Sequence, residues 1–168
     1  MYEKIIVKLL TNFNPGDAIT VNELSKKLNI SRTTARNYVK RLLSLGILER
    51  MREGYFMTKN AIKLREMILA IKNKSGIAEI PYTFTDRNGT PLQLQVKTID
   101  QLYAVFKYRL APEELLMHHL KQGYLQAWLK DSLGATELAE SLNKTYDYED
   151  IIRILEKYVA LLTELNST

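Results

Sequence analysis

The fold is decided by residues 24–50, which read LSKKLNISRTTARNYVKRLLSLGILER. The stretch predicts a short helix that ends near Asn29, and two residues later Ser31 supplies a favoured helix N-cap. A longer helix is predicted over residues 32–45, closed by Gly46, because glycine readily adopts the left-handed conformation at a helix end. The sequence therefore predicts two helices joined by the three-residue break Asn29-Ile30-Ser31.

Further helices and a hairpin are predicted around this pair. Upstream, residues 2–13 have apolar side chains at helical spacing, and Thr20 with Glu23 forms a capping box that opens the short helix. Downstream, residues 47–51 and 55–58 are strand-like, with a turn at residues 52–54. A helix over residues 59–74 follows. It has a heptad-like seam of apolar side chains at Met57, Ala61, Leu64, Ile68 and Ile71.

This order of elements resembles the winged helix-turn-helix family. The resemblance lies in residues 24–50 and especially in the passage Leu42-Leu43-Ser44-Leu45-Gly46-Ile47-Leu48, which leads from the helix into the wing. It covers residues 1–74 and implies a winged helix-turn-helix fold for them. Many transcription regulators share this pattern, and so do some protein-interaction domains.

The longer helix is predicted to turn a polar face outward. At about 100° per residue, Ala35 and Val39, with Leu42 and Gly46, fall on the side opposite Thr33 and Asn37. Arginine can bond a guanine edge in two places, asparagine an adenine edge, and threonine a thymine methyl or a phosphate, so this helix is predicted to read the major groove. The wing, residues 50–54, is predicted to contact phosphate or the minor groove. The predicted DNA-binding residues are Arg32, Thr33, Thr34, Arg36, Asn37, Lys40, Arg41, Arg50 and Arg52.

The charge distribution supports this interpretation. Residues 1–80 carry 15 basic and 7 acidic side chains, whereas residues 81–168 carry 9 basic and 12 acidic ones. A basic half favours a polyanionic partner. Every surface helix has a polar outer face, however, so the alternative is a winged-helix module that binds proteins without specific DNA binding. An enzyme is not expected, because nothing resembles a nucleophile elbow or a phosphate loop.

The second half is predicted to open with a hairpin and to continue as helices. Residues 82–85 and 91–96 flank Asn88-Gly89, a pair that favours the positive φ angles of tight turns. Helices are predicted over residues 99–109, 112–122, 124–133, 135–143 and 147–165. The motifs at residues 82–89, 115–119, 124–129 and 137–139 resemble a poorly characterised prokaryotic domain, which implies kinship without a known activity. The expected fold class is mainly α with small β-hairpins, a winged helix-turn-helix plus a mostly helical C-terminal domain.

Two adjacent histidines, His118 and His119, are the only ones in the chain, and cysteine is absent. Disulfides and thiolate zinc sites are therefore excluded. Adjacent helical residues diverge by about 100°, so the histidines cannot jointly chelate a metal, and no metal site is expected. One histidine is expected to be packed and the other exposed. Tyr124 and Trp128 are expected to be core residues, but if this domain senses a small molecule, the predicted pocket is His118, Tyr124 and Trp128.

The predicted domains are residues 1–74 and residues 82–168, joined by a linker at residues 75–81. The second domain is expected to serve dimerisation or sensing. The apolar repeat from Tyr148 to Leu165 is the preferred dimer seam, ahead of the helix after the wing. The sequence shows no signal peptide or membrane span, so a cytoplasmic protein is expected. The predicted partners are double-stranded DNA, a second copy of the chain and an unidentified small-molecule or protein effector, with no cofactor and no membrane.

Overall fold

The computed structural model describes residues 3–167, which are mainly α-helical with two small antiparallel sheets. These residues form two compact units, and the division falls between Glu66 and Met67. One unit takes in the described residues up to Glu66 and those from Glu164 onwards, and the other is Met67–Thr163. The predicted linker at residues 75–81 stays a prediction. Within residues 3–167, no helix is long and apolar enough to cross a bilayer.

The first unit has the predicted order of helices and strands. Tyr2, where the first helix was predicted to begin, lies outside the described residues. The bounds are α1 Glu3–Asn12, α2 Val21–Leu28, α3 Arg32–Ser44, β1 Leu48–Met51 and β2 Gly54–Met57, followed by α4 Lys59–Asn73, in which the division between the units falls. The core of this unit is built from side chains of several of these elements, namely Leu9, Leu10, Ile19, Leu24 and Leu42, all fully buried.

The C-terminal end of α1 is closed by basic side chains from elsewhere in the unit. Its own last turn contains no basic residue. The Nε of Arg65 donates hydrogen bonds to the carbonyl oxygens of Leu10 and Phe13, at 2.9 and 3.2 Å. The Nζ of Lys27 donates to the Asn12 carbonyl oxygen at 3.1 Å and lies 4.3 Å from the centre of the Phe13 ring. These cations satisfy carbonyl groups that a helix end leaves free.

The β1–β2 hairpin, the wing, is tighter than predicted and gains a third strand-like segment. Gly54 pairs with Met51, so the turn consists of Arg52 and Glu53 and the second strand already begins at Gly54. Tyr55 also exchanges two backbone hydrogen bonds with Ile19, at 2.7 and 2.9 Å. The segment before α2 is therefore fixed to the outer edge of the hairpin. The sequence around Ile19 carries too short a strand pattern to predict this pairing.

The second unit begins with the predicted hairpin and continues as helices. Its strands are β3 Tyr82–Thr85 and β4 Pro91–Val96. The helices are α5 Ile99–Lys107, α6 Glu113–Lys121, α7 Tyr124–Leu133, α8 Thr136–Asn143 and α9 Tyr148–Asn166. Fully buried side chains from one strand and four helices form its core, namely Phe84, Leu102, Phe106, Leu116, Leu125, Leu129 and Ile151.

The turn between β3 and β4 differs from the prediction in one respect. Gly89 has a positive φ of 82°, but Asn88 does not share this conformation. Instead, one carboxylate oxygen of Asp86 accepts hydrogen bonds from the backbone N–H groups of Asn88 and Thr90, at 2.8 and 2.9 Å. The aspartate side chain thus organises the turn, a role that short polar side chains commonly take.

The apolar repeat of α9 is buried within the chain itself. Tyr148, Ile151, Leu155 and Tyr158 are all buried. The Tyr148 hydroxyl donates a hydrogen bond of 2.7 Å to the Phe106 carbonyl oxygen, and the Tyr158 hydroxyl lies 3.3 Å from that of Ser141. The seam of α4 is likewise buried at Met57, Ala61, Leu64, Ile68 and Ile71. Except for half-buried Leu162, the residues of both predicted seams are therefore buried within the chain itself.

Candidate functional site

The first candidate site is built on the connection between α2 and α3. Thr20 and Glu23 form the predicted capping box at the start of α2. Asn29 ends α2 in the left-handed conformation, with a φ of 51°, and the Ser25 hydroxyl donates a 2.6 Å hydrogen bond to the Ile30 carbonyl oxygen. The Ser31 hydroxyl then caps α3 by accepting from the Thr34 N–H at 3.0 Å. Local hydrogen bonds thus hold the break between the two helices.

One face of α3 anchors the helix and the other is open to solvent. Ala35, Val39 and Leu42 are buried, as predicted. No acidic residue occurs anywhere in α3. Ser44 and the predicted DNA-binding residues Arg32, Thr33, Arg36, Asn37 and Lys40 are all exposed. The structure therefore presents hydroxyl, amide and cationic groups together on one rigid surface.

Three residues of this region are placed differently from the others. Gly46, predicted to point inward, is exposed, because α3 ends at Ser44 and the helical periodicity does not extend to residue 46. Thr34 is half-buried, and its hydroxyl lies 2.8 Å from that of Ser31, so the cap engages it. Arg41 is also half-buried. Thr34 and Arg41 thus lie at the margin of the open face, and their predicted DNA contacts stay predictions.

Arg50 and Arg52 lie on the wing, which follows α3 in the chain, and both side chains are exposed to solvent. In a strand, successive side chains point to opposite faces, so Arg50 shares a face with Leu48, and Glu49 lies on the other face with Met51. Arg50 pairs with Tyr55, the residue that is also bridged to Ile19. Arg52 lies in the two-residue turn next to Glu53. The acidic Glu49 is thus directed away from Arg50, whereas Glu53 remains next to Arg52.

The order of two capped helices and a wing agrees with the protein family that the sequence of this region matches. Residues 4–56 match the family model described as "HTH domain". These residues are a helix-turn-helix domain. Many helix-turn-helix domains bind DNA, so the match supports DNA as a partner of this domain. No curated protein and no solved structure matches the chain.

The electrostatics of the helix-turn-helix domain favour DNA as well. Residues 4–56 carry ten basic and four acidic side chains. Two of these acids are held by backbone caps, because Asp17 accepts from the Asn14 N–H at 2.8 Å and Glu23 accepts from the Thr20 N–H at 3.0 Å. The remaining acids, Glu49 and Glu53, both lie on the wing. The open face of α3 is therefore free of negative charge that would repel phosphate.

A second candidate site was predicted at His118, Tyr124 and Trp128, and the three side chains differ in exposure. Trp128 is buried, and its Nε1 donates a 2.9 Å hydrogen bond to the Ile80 carbonyl oxygen. Tyr124 is 53% exposed. His118 is half-buried and lines an open cavity of about 400 Å³ whose other walls are Arg87, Glu113, Glu114, Met117 and Lys121. The walls of this cavity do not include Tyr124 or Trp128, and a ligand site at the three residues stays a prediction.

His119, and not His118, is the buried histidine of this unit. It is buried, and its ring centre lies 5.6 Å from that of Tyr82, 5.3 Å from Phe84 and 6.1 Å from Tyr124. Of the two adjacent residues, only His119 continues the buried face of α6, three residues after Leu116 and next to Leu120. The helical spacing from Leu116 is the signal that would have distinguished the two histidines.

Both ring nitrogens of His119 are bonded within the unit. Its Nε2 lies 2.9 Å from the Thr85 carbonyl oxygen and 3.3 Å from the Thr85 backbone nitrogen. Its Nδ1 lies 2.5 Å from the Tyr82 hydroxyl oxygen. Burial raises the pKa of Tyr82 well above its ordinary value of 10.0, and the neighbouring Tyr124 raises it further, so the phenol remains a donor. His119 thus fixes the β3 strand to α6.

Proposed function

We propose that the protein is a sequence-specific, double-stranded-DNA-binding transcription regulator that acts as a dimer. The observation that supports the proposal is the acid-free open face of α3, on which Arg36, Asn37 and Lys40 are exposed while Ala35 and Val39 anchor the helix. Arginine and asparagine distinguish guanine and adenine edges in the major groove. α3 is accordingly proposed as the recognition helix.

The remaining basic side chains are proposed to position the domain on the duplex. Arg32 lies at the N-terminus of α3, where exposed backbone N–H groups and a cation favour a phosphate. Arg50 and Arg52 extend from the wing and are proposed to contact phosphate or an adjacent minor groove. These contacts add affinity without base preference, whereas Arg36 and Asn37 set the preference.

A second candidate function is a winged-helix module that binds a protein. The observation that favours it is the outer face of the wing, where exposed Met51 lies on the same face as half-buried Phe56. This face does not overlap the open face of α3, so the two functions predict effects from different substitutions. We prefer DNA binding over protein binding, because several exposed polar and basic side chains lie together on the open face of α3.

The test is selection of bound duplexes from a random pool, followed by titration of the recovered duplex at increasing salt. We expect an enriched motif with two-fold symmetry, because a dimer reads two half-sites about one helical turn apart. We also expect affinity to fall steeply with salt, because Lys and Arg contacts release counterions. Absence of salt-dependent duplex binding at micromolar protein would favour the protein-interaction module. An asymmetric motif would support specific binding by a monomer instead.

A further inference from the structure

The second unit exposes three large apolar side chains in the loops that precede α6 and α9. Tyr108 is 71% exposed, Leu110 is 57% exposed and Tyr146 is 81% exposed. We refer to these three residues as the Tyr108–Tyr146 patch. Exposure of single apolar side chains is ordinary, but clustered ones indicate an interaction surface.

The two loops that carry the patch are held side by side. Arg109, between Tyr108 and Leu110, lies over the Tyr148 ring at 5.1 Å from its centre and donates a 3.5 Å hydrogen bond to Glu149. It also pairs with Glu113 at 2.9 Å. Beneath them, the buried Tyr148 hydroxyl bonds the Phe106 carbonyl oxygen at 2.7 Å. Tyr146 lies two residues before Tyr148, whose ring Arg109 of the Tyr108 loop covers, although 38 residues separate Tyr146 from Tyr108 in the chain.

The chemistry of the patch fits an interface with neutral overall charge. Tyrosine and arginine are enriched at the centres of protein interfaces. The rim contains three basic side chains, Lys107, Arg109 and Lys144, and three acidic ones, Glu113, Asp147 and Glu149, all of them exposed. A balanced rim neither attracts a polyanion nor repels a second copy of the same surface. A second copy would therefore meet no excess of like charge at this rim, whereas a strongly charged partner would gain no net attraction from it.

We infer that the Tyr108–Tyr146 patch is the surface through which two copies of this chain associate. The inference rests on the dimer of the proposed function and names the interface that the proposal leaves open. The apolar seams of α4 and α9 are buried in the chain's own core, so they are not available as a dimer interface. In a two-fold contact, the Tyr108 loop of one copy meets the Tyr146 loop of the other, and the reverse contact forms at the same time.

The area of the patch sets the expected strength of the dimer. Its three side chains expose on the order of 400 Å², about half of the roughly 800 Å² that each partner contributes to a standard interface. The charged rim supplies the remainder. We therefore expect a concentration-dependent dimer that two adjacent half-sites on one duplex would reinforce.

The absence of cysteine from the chain allows a direct test by cross-linking. Full-length Tyr108→Cys and Tyr146→Cys variants are oxidised separately and as an equal mixture. We expect the disulfide-linked dimer to form mainly in the mixture, because a two-fold contact brings position 108 of one copy to position 146 of the other. Ile80→Cys, at a position 72% exposed outside the patch, is the matched control. Equal cross-linking of Ile80→Cys, or no enrichment in the mixture, would overturn the inference.

Sedimentation equilibrium gives an independent measurement. The double variant Tyr108→Ser with Tyr146→Ser should raise the dimer dissociation constant at least about tenfold, while Ile80→Ser should leave it unchanged. Both changes are at exposed positions, so an unchanged thermal unfolding temperature checks that the variants fold. A wild-type protein that remains monomeric at all concentrations, or a dimer that the double variant does not weaken, contradicts the inference.

Binding to a duplex with a single half-site separates this inference from the proposed function. If the patch forms the dimer, the double variant keeps wild-type affinity for the single half-site and loses its advantage on the paired site. If wild-type protein binds no duplex yet the cysteine mixture cross-links, the interface stands and the proposed function fails. If duplex binding is specific but cross-linking is not enriched, the proposed function stands and the interface fails.

Discussion

Gly54 of the wing lies so close to Ile19 that a β-carbon at position 54 would be 2.9 Å from the Ile19 carbonyl oxygen. The Gly54 φ of 144° is also a conformation that other residues rarely adopt. The atom approached is backbone and belongs to the segment that pairs with Tyr55. Glycine at this position is thus a condition for attaching the segment before α2 to the wing.

We expect Gly54→Ala to lower the free energy of unfolding by about 2–3 kcal/mol, because the clash and the backbone strain add together. Gly46→Ala is the matched control. Its φ of 67° is also positive, but no atom lies within 4 Å of the added carbon, so we expect a loss of about 1 kcal/mol. Urea unfolding followed by circular dichroism measures both. Equal losses in the two variants would show that the approach to Ile19 is unimportant.

For the recognition helix, we expect Arg36→Ala and Asn37→Ala each to weaken binding to the selected duplex by about 1–3 kcal/mol and to relax base preference. Both side chains are exposed, so the fold should be unaffected. Competition fluorescence anisotropy against duplexes with single-base changes measures the effect. Arg153→Ala, which removes an exposed arginine from α9, is the control and should change nothing. Unchanged discrimination in both α3 variants would argue against major-groove reading by α3.

Arg52 should behave differently from the recognition-helix residues. Since it lies in the wing turn and is proposed to contact the DNA backbone, we expect Arg52→Ala to weaken all duplexes alike. We also expect the slope of log affinity against log salt to decrease by about 1, because one phosphate contact is lost. Titrations of a specific and an unrelated duplex at several salt concentrations give both quantities. A selective loss on the specific duplex would instead assign Arg52 to base recognition.

The buried phenol of Tyr82 predicts a loss of stability in alkali. The folded-state pKa of Tyr82 is raised above its ordinary value of 10.0, mainly by burial. The stability that this protonated group provides is complete below about pH 10 and is lost as the pH rises further, because the unfolded chain then ionises while the folded one does not. We expect Tyr82→Phe to lose less stability than wild type between pH 8.5 and about pH 11.

The fluorescence of Trp128, whose ring centre lies 5.7 Å from that of Tyr82, reports unfolding of this unit in urea at each pH. The comparison uses the change with pH, since Tyr82→Phe also removes the hydrogen bond to His119 at every pH. Tyr146→Phe, at a tyrosine that is 81% exposed, is a control that keeps the buried phenol. An identical alkaline loss in wild type and Tyr82→Phe would contradict the prediction.

Local signals in the sequence predicted most of the helices and strands, whereas contacts between residues far apart in the chain could not be predicted from it. Ser31 and the Thr20–Glu23 pair cap helices through bonds that span three residues, so their identity and spacing suffice. The pairing of Ile19 with Tyr55 joins residues 36 positions apart and depends on how the helices pack. Periodicity found the apolar seam of α9 but not its partner, because a buried seam looks the same whether its own chain or a second copy covers it.

The candidate surface on α3 was predictable because a helix turns by a nearly constant angle per residue. The prediction failed where the helix stops, at Gly46, and it did not include the contact of the Thr34 hydroxyl with the capping Ser31 hydroxyl. In the second unit, His118 was favoured over its buried neighbour His119. The spacing of three residues from Leu116 to His119 was the sequence signal for the enclosed imidazole, and the contacts of His119 with the β3 strand show it directly.

The way in which α1 ends has a consequence for mutagenesis of the basic half. Lys27 donates a hydrogen bond to the Asn12 carbonyl oxygen. Arg65 donates to the carbonyl oxygens of Leu10 and Phe13. A scan that replaces each basic residue with alanine would find reduced duplex binding at both positions, although the cause would be loosened helix packing. The number of lysines and arginines therefore overstates the number of counterions that DNA releases when the protein binds. Only variants with unchanged unfolding temperatures report on the charges that contact DNA.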